Sequence, residues 1–302
     1  MATPLVGTFL TSLLTYVLPI LLTCLLLFYG YIFLLKRQLR PTHPILPSLN
    51  AIRSEQADVP DEDDGQSEKS DYCLCAVKTE DDVPFVPYKI DRQPFQEMVK
   101  KSREFYELMN KRRTVRFFSG DPVPLQVIEN IIKAAGTAPS GAHTEPWTYA
   151  VVSNQELKKC IREIVEAEEE VNYKKRMGTE WVQDLKKLRT NWNKPYLTDA
   201  PYLIIVFKQT HSFDEKNRRR EHYYHEISTS LSVGILLSAL TNVGLVTLTS
   251  TPMNAGPAIR HLLGRPSNEK VLLLLPVGYP SNDCQVPDLK RKALNDIMVT
   301  YD

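Results

Sequence analysis

The sequence predicts a folded domain of mixed class, α/β or α+β, carried behind a membrane anchor on a long tether. Three observations predict it. From about residue 91 to the end, helical periodicities and short apolar runs of strand length intermix, which fits neither an all-helical nor an all-β core. No charged side chain occurs before Lys36. Between these regions proline and acid replace apolar periodicity, and such a segment buries too little surface to offset its ordering entropy. The 302 residues therefore divide into an anchor at 1–37, a flexible acidic tether at 38–90 and a folded domain at 91–302.

The anchor spans residues 5–35, longer than the roughly 20 apolar residues a bilayer crossing needs. A cleaved signal peptide would carry a basic start and a shorter apolar core. Here Lys36 and Arg37 follow the apolar run directly. With Arg40 they place the positive flank after the span, so the positive-inside rule puts the rest of the chain on the cytoplasmic side of a plasma or vesicle membrane. The tether follows, with eleven acids against two lysines across residues 55–82.

Within the domain, helical patterning covers 96–111 and then 124–135, where Pro124 suits a first helical turn. Residues 147–152 read as a strand. A long charged helical region runs from 155 to about 192 and breaks near Gly178. Its five glutamates between Glu163 and Glu170 sit close enough to repel one another, so the region is expected to be a mobile lid. Residues 202–208 form a continuous apolar run, the signature of a buried strand. The helix at 224–241 is apolar almost all round, which suits a core or a subunit interface. Two more strands are expected at 245–250 and 270–277.

Composition narrows the function. Hydrophobic residues at 43% and charged residues at 24% exclude a disordered, collagenous or multi-span protein. The net charge of +1 shows no nucleic-acid footprint. Five irregularly spaced cysteines are no disulfide framework, which favours a reducing compartment. The glycines never form G-x-G, and neither G-K-[ST] nor G-x-S-x-G occurs, so dinucleotide, Walker and hydrolase-elbow sites are absent. His222 and His225 are spaced for one helix face but have no third ligand, and no metal site is expected.

What remains is anion binding built on arginine. Arg112-Arg113-Thr114-Val115-Arg116 follows a helix, and guanidinium forks suit phosphate. Residues 138–147 (APSGAHTEPW) join a helix to a strand through a tight loop. Residues 249–254 (TSTPMN) place hydroxyls after an apolar strand, and residues 288–292 (DLKRK) form a late basic cluster. Each is equivocal alone.

Together these segments resemble the nitroreductase-like flavoproteins. Residues 168–178 (EEEVNYKKRMG), 184–192 (DLKKLRTNW) and 286–292 (VPDLKRK) are similar to the branch that dehalogenates iodotyrosines. The resemblance implies an α+β, three-layer domain with a mostly antiparallel sheet, in an intertwined homodimer binding FMN. It assigns Arg112, Arg113, Thr114, Val115, Arg116, Ser140, Gly141, Thr249, Ser250, Thr251 and Arg291 to the cofactor. Thr251 would hydrogen-bond flavin N5 and so favour stepwise electron transfer. Glu169, Tyr173 and Lys194 would take the ammonium and carboxylate of a halotyrosine, and the Ala142 N–H its phenolate. The implied reaction converts mono- and diiodotyrosine to tyrosine and iodide, salvaging iodide. Electrons would come ultimately from NADPH through a separate reductase, since no pyridine-nucleotide fingerprint exists. A general nitroreductase and a non-catalytic flavin-binding membrane protein stay open. The charged 155–194 insertion disfavours the first, and only turnover separates the second.

Overall fold

The computed structural model describes residues 83–301, so the anchor and nearly all of the tether, with its acidic block, lie outside the described residues. Among the described residues no helix is long and apolar enough to cross a membrane. The elements run α1 (Phe95–Asn110), α2 (Leu125–Ala135), β1 (Trp147–Val152), α3 (Gln155–Val171), α4 (Thr179–Lys187), α5 (Tyr196–Asp199), β2 (Tyr202–Gln209), β3 (His211–Phe213), β4 (Arg219–Glu221), α6 (His225–Asn242), β5 (Val246–Thr247), α7 (Gly256–Leu262) and β6 (Glu269–Gly278). A π-helical turn at Asn172–Arg176 continues α3.

The sheet has the order β1-β2-β6-β5 with antiparallel neighbours throughout. The β2 strand explains the layers. Its side chains alternate across the sheet, as the two-residue period of a strand requires. Leu203, Ile205 and Phe207 enter a core with Ile161, Ile164 and Val165 of α3, Leu197 of α5 and Ile259 of α7. Ile204 and Val206 enter the opposite core with Ile128 and Ile131 of α2 and Val233, Leu236 and Leu240 of α6. Both faces are covered, and for that reason β2 reads as an unbroken apolar run.

The expected strand at 245–250 is shorter in the structure, where β5 holds only Val246 and Thr247. Thr247 pairs with Val277 and Ser250 bridges Leu274 in the same register, which sets Pro276 opposite Leu248. Proline brings no N–H to that rung, and the ladder lapses there. The Thr247 hydroxyl donates to the Pro276 carbonyl at 2.7 Å instead. Sequence patterning also passed over α5, α7 and the β3–β4 hairpin. All three are short; α5 and α7 rest on the core, while the mostly exposed hairpin is held by its own ladder and by His222 bonding Ser212.

Candidate active site

Residues 112–116 leave α1 and become an extra edge of the sheet. Thr114 bridges Thr247 in parallel, and the Val115 N–H donates to the Thr247 carbonyl at 3.2 Å. Val115 is buried in the core, so its carbonyl is what remains to meet a ligand. The flanking arginines stay at the surface of this edge. Arg291, from the extended C-terminal segment, donates to the Arg112 carbonyl at 3.2 Å, and Arg113 donates to the last turn of α1 at 2.9 Å. The Arg112 pKa is lowered first by burial and then by the charges of Arg291 and Arg113. Among the described residues none of these three arginines has a carboxylate partner. Crowded guanidiniums repel one another, and a phosphate dianion would relieve that repulsion.

Arg112, Arg113, Thr114, Arg116 and Arg291 line a cavity of about 250 Å³. A neighbouring cavity of about 650 Å³ shares Thr114 and Arg116 and adds Arg189, Gln285 and Asp288. Arg116 faces a different neighbourhood from Arg112. Its charge acts on Tyr173, Lys194 and Tyr196. It therefore links the arginine segment to the second half of the site.

That second half is built on α3. Glu169 and Lys194 are 9% and 5% exposed, and Lys194 Nζ lies 3.3 Å from Glu169 Oε2. The same ammonium sits 5.4 Å from the centre of the Tyr173 ring, close enough for a cation–π contact. Burial lowers the Lys194 pKa, and Glu169 opposes that shift. Tyr173 reaches this place from the π turn, a feature frequent at functional sites. Trp192 packs edge-on against it at 6.0 Å.

The expected repulsion among the α3 glutamates is offset by partners. Glu166 pairs with Arg162 at 2.7 Å, Glu168 with Arg176 at 2.9 Å and Glu170 with Lys174 at 2.5 Å. Arg162 also donates to Thr198 Oγ1 and Asn193 Oδ1, both at 2.9 Å. Glu166 accepts the backbone N–H of Lys194. Lys158, itself buried, donates to the Ala200 carbonyl at 2.7 Å. These contacts hold the segment bearing Lys194 against α3. Sequence reasoning missed them; the spacing of four in Arg162–Glu166 and in Glu170–Lys174 was the legible signal.

Thr251 is exposed and follows Ser250, whose pairing with Leu274 anchors it to β6. Thr249 is exposed as well. Burial is the first cause raising the pKa of Tyr196, a buried residue that patterning did not single out, and the Ser250 side chain slightly offsets that rise.

The 140–145 loop stands apart and lines neither cavity. Ala142, His143 and Glu145 adopt φ of 50°, 52° and 44°, left-handed conformations, broken by a right-handed Thr144, that cost energy outside glycine. Ser140 Oγ accepts the Glu145 N–H at 3.0 Å, and the Gly141 N–H donates to Ser228 Oγ at 3.4 Å. A Cβ on Gly141 would stand 2.9 Å from the Tyr223 carbonyl, so an internal contact already requires glycine. The N–H groups of His143 and Thr144 are used within the loop. Across 141–145 only the Ala142 N–H has no partner among the described residues. His222 precedes α6 and does not lie on it; its ring bonds the Gln209 carbonyl at 3.1 Å and Ser212 Oγ at 3.0 Å. Among the described residues no cluster of three His, Cys, Asp or Glu could hold a metal.

The nitroreductase family pattern matches residues 109–279. Iodotyrosine deiodinase 1 of Mus musculus is 63% identical over 223 residues, covering 74% of this chain and 78% of its own. The Homo sapiens protein of that name is 60% identical over 223 residues, covering 74% and 77%. The iodotyrosine deiodinase of Hydra vulgaris is 61% identical over 218 residues, covering 72% and 80%. A crystal structure of oxidized iodotyrosine deiodinase bound to FMN and 3-iodo-L-tyrosine superposes with a TM-score of 0.57 at 33% identity, over 66% of this chain and 98% of that one. The arginine edge, the buried Glu169–Lys194 pair and this breadth of identity agree: the chain belongs to the nitroreductase family and, within it, to the iodotyrosine deiodinases.

Proposed function

We infer that this chain is an FMN-dependent enzyme that reductively removes iodide from mono- and diiodotyrosine, leaving tyrosine. The observation that carries the reading is a buried pair of opposite charges, Glu169 and Lys194, joined through Arg116 to a cluster of arginines that lacks its own anion. One part matches an amino-acid zwitterion and the other a phosphate monoester. Arg112, Arg113 and Arg291 would hold the FMN phosphate, with Thr114 and Arg116 nearer the ring system. When bound, FMN supplies the reducing electrons. Glu169 takes the substrate ammonium and Lys194 its carboxylate, each exchanging its present partner for the ligand. Tyr173 covers the site, and the free Ala142 N–H holds the phenolate. Thr251 offers its hydroxyl to the flavin. NADPH is the ultimate electron source, through a separate reductase. Purified protein reduced with dithionite should release iodide from diiodotyrosine; a yellow, folded preparation that releases none overturns this reading.

The site is proposed to be shared by two copies. Helix α1 has sixteen residues and none is buried, although Phe95, Phe105 and Tyr106 project from it. An isolated helix of that length is marginal in water, so its apolar side chains need a cover. On α6, which α1 contacts, Ile227 is 61% and Leu231 50% exposed. A second copy would cover both helices and bring its own 140–145 loop, seated at the start of α6, to the arginine edge. Sedimentation of the chain lacking residues 1–37 should give a dimer, and Leu231→Glu should dissociate it with loss of flavin. A flavin-loaded, active monomer would rule the shared site out.

The uncharged run at 5–35 is proposed to hold the enzyme in a plasma or vesicle membrane, with Lys36, Arg37 and Arg40 keeping the domain cytoplasmic. Protease applied outside intact cells should spare the domain. Its digestion there would reverse the orientation.

A further inference from the structure

Lys194 occupies one oxygen of Glu169, and the other leads to a side chain with no exposed surface. Asn172 is fully buried. Its Nδ2 donates to Glu169 Oε1 at 3.3 Å and to the Met253 carbonyl at 3.4 Å. Its Oδ1 accepts from Arg176 Nη1 at 2.9 Å and from Asn254 Nδ2 at 3.4 Å. Two donors and two lone pairs are the whole capacity of a primary amide, and all four are used. The orientation of the amide follows from its neighbours. A guanidinium can only donate, while a carbonyl and a carboxylate can only accept, so exchanging N and O would break the set.

These contacts join two parts of the site that are far apart in sequence. Asn172 opens the π turn that carries Tyr173, and its carbonyl accepts the Met177 N–H at 2.8 Å. Met253 belongs to the turn after Thr251, closed by the Met253 N–H on the Thr251 carbonyl at 2.8 Å and by Asn254 at φ 64°. The same amide therefore grips the carboxylate assigned to the substrate ammonium and the turn assigned to the flavin.

We propose that Asn172 is a positioning residue that fixes the Glu169 carboxylate and the 251–254 turn to one another, so that substrate affinity and the placement of the Thr251 hydroxyl change together. This rests on the roles given to Glu169 and Thr251 above. Replacing the amide by a carboxylate keeps its size and its acceptors but removes both donors. Glu169 then faces a like charge and the Met253 carbonyl loses its donor to another acceptor, in a site closed to water, where such errors cost most.

The test compares the Asn172→Asp and Glu169→Gln holoenzymes with the parent. The readouts are flavin content, diiodotyrosine affinity from quenching of flavin fluorescence, 2-iodophenol turnover, and the absorbance of one-electron-reduced flavin during anaerobic titration. Asn172→Asp should keep its flavin, weaken diiodotyrosine binding about tenfold or more, and also change 2-iodophenol turnover and the one-electron absorbance. Glu169→Gln should weaken diiodotyrosine binding alone, because 2-iodophenol has no ammonium. If Asn172→Asp alters only diiodotyrosine binding, Asn172 merely supports Glu169 and the proposal is wrong. If it alters nothing, the proposal is wrong as well. Unchanged diiodotyrosine binding in Glu169→Gln would instead overturn the role of Glu169 itself. Should Asn172→Asp give no folded holoenzyme, Arg176→Met removes the donor that orients the amide from the protein surface. Smaller shifts in both affinity and one-electron absorbance are expected, and a shift in neither overturns the coupling.

Discussion

The arginine edge and the α3 pair are both charged, yet they are balanced in opposite ways. At the edge, Arg112 sits beside Arg291 and Arg113 with its pKa lowered by burial and by their charge. On α3, Glu169 is matched by Lys194 at 3.3 Å and by Asn172 at 3.3 Å. Among the described residues the edge has no carboxylate to balance its arginines, whereas each member of the pair has its opposite charge in place. A cofactor that stays bound suits the first arrangement. A substrate that comes and goes suits the second, since the emptied site closes on itself and leaves no buried charge unpaired.

The largest effect should separate the two by stability. Lys194→Ala strands a buried carboxylate and should cost about 3–5 kcal/mol in urea unfolding. Arg112→Ala removes repulsion and should cost nothing when FMN is omitted. Equal losses in both variants would break the comparison. Next in size is the reverse pattern in flavin titrations. Arg112→Ala and Arg291→Ala should each weaken FMN binding by roughly 1.5–3 kcal/mol, the worth of a hydrogen bond to a charged group. Glu169→Gln should leave it unchanged. On the substrate side, Glu169→Gln should reduce kcat/KM for diiodotyrosine by a similar roughly 1.5–3 kcal/mol and spare 2-iodophenol. A loss on both substrates would move Glu169 from recognition to scaffold.

The smallest effect sharpens the distinction with a third charged group that has no ligand to meet. Glu269 is buried at the start of β6, where Arg265 forks onto it at 2.7 and 2.8 Å and Thr148 donates at 2.6 Å. Burial pushes its pKa up, but these donors outweigh burial and hold it below the ordinary 4.5. A depressed carboxylate contributes stability above its unfolded pKa and loses it as pH falls through the folded value. Glu269→Gln should therefore flatten the acid limb of the stability profile below about pH 4.5, with FMN and diiodotyrosine binding unchanged. Thermal melts across that range read the slope, and an undiminished acid limb would remove Glu269 as its source.

Much of the fold was legible because burial writes itself as period. The β1 and β2 boundaries, the α2 stripe and the apolar α6 all follow from side chains that must leave water. The length of β5 was not legible, because it depends on Pro276 of another strand meeting Leu248. The α1 helix was legible, expected at 96–111 and found at Phe95–Asn110; what the period did not show is that its apolar side chains find no cover among the described residues.

For the site, the sequence by itself determined which side chains were available, arginines at 112, 113, 116 and 291 and acids, lysines and a tyrosine at 169–194. Charged groups are also the ordinary furniture of a surface, so their roles came from the resemblance of whole segments and not from residue type. The resemblance pointed to Glu169, but only tertiary structure shows which acid is buried. Among the five glutamates from 163 to 170, Glu169 is the one turned inward to Lys194 and Asn172, while the partners of Glu166, Glu168 and Glu170 come from more open surface. Residue type sets what a side chain can donate or accept. Only the fold decides which charge loses its water, and a carboxylate that has lost it needs partners such as Lys194 and Asn172.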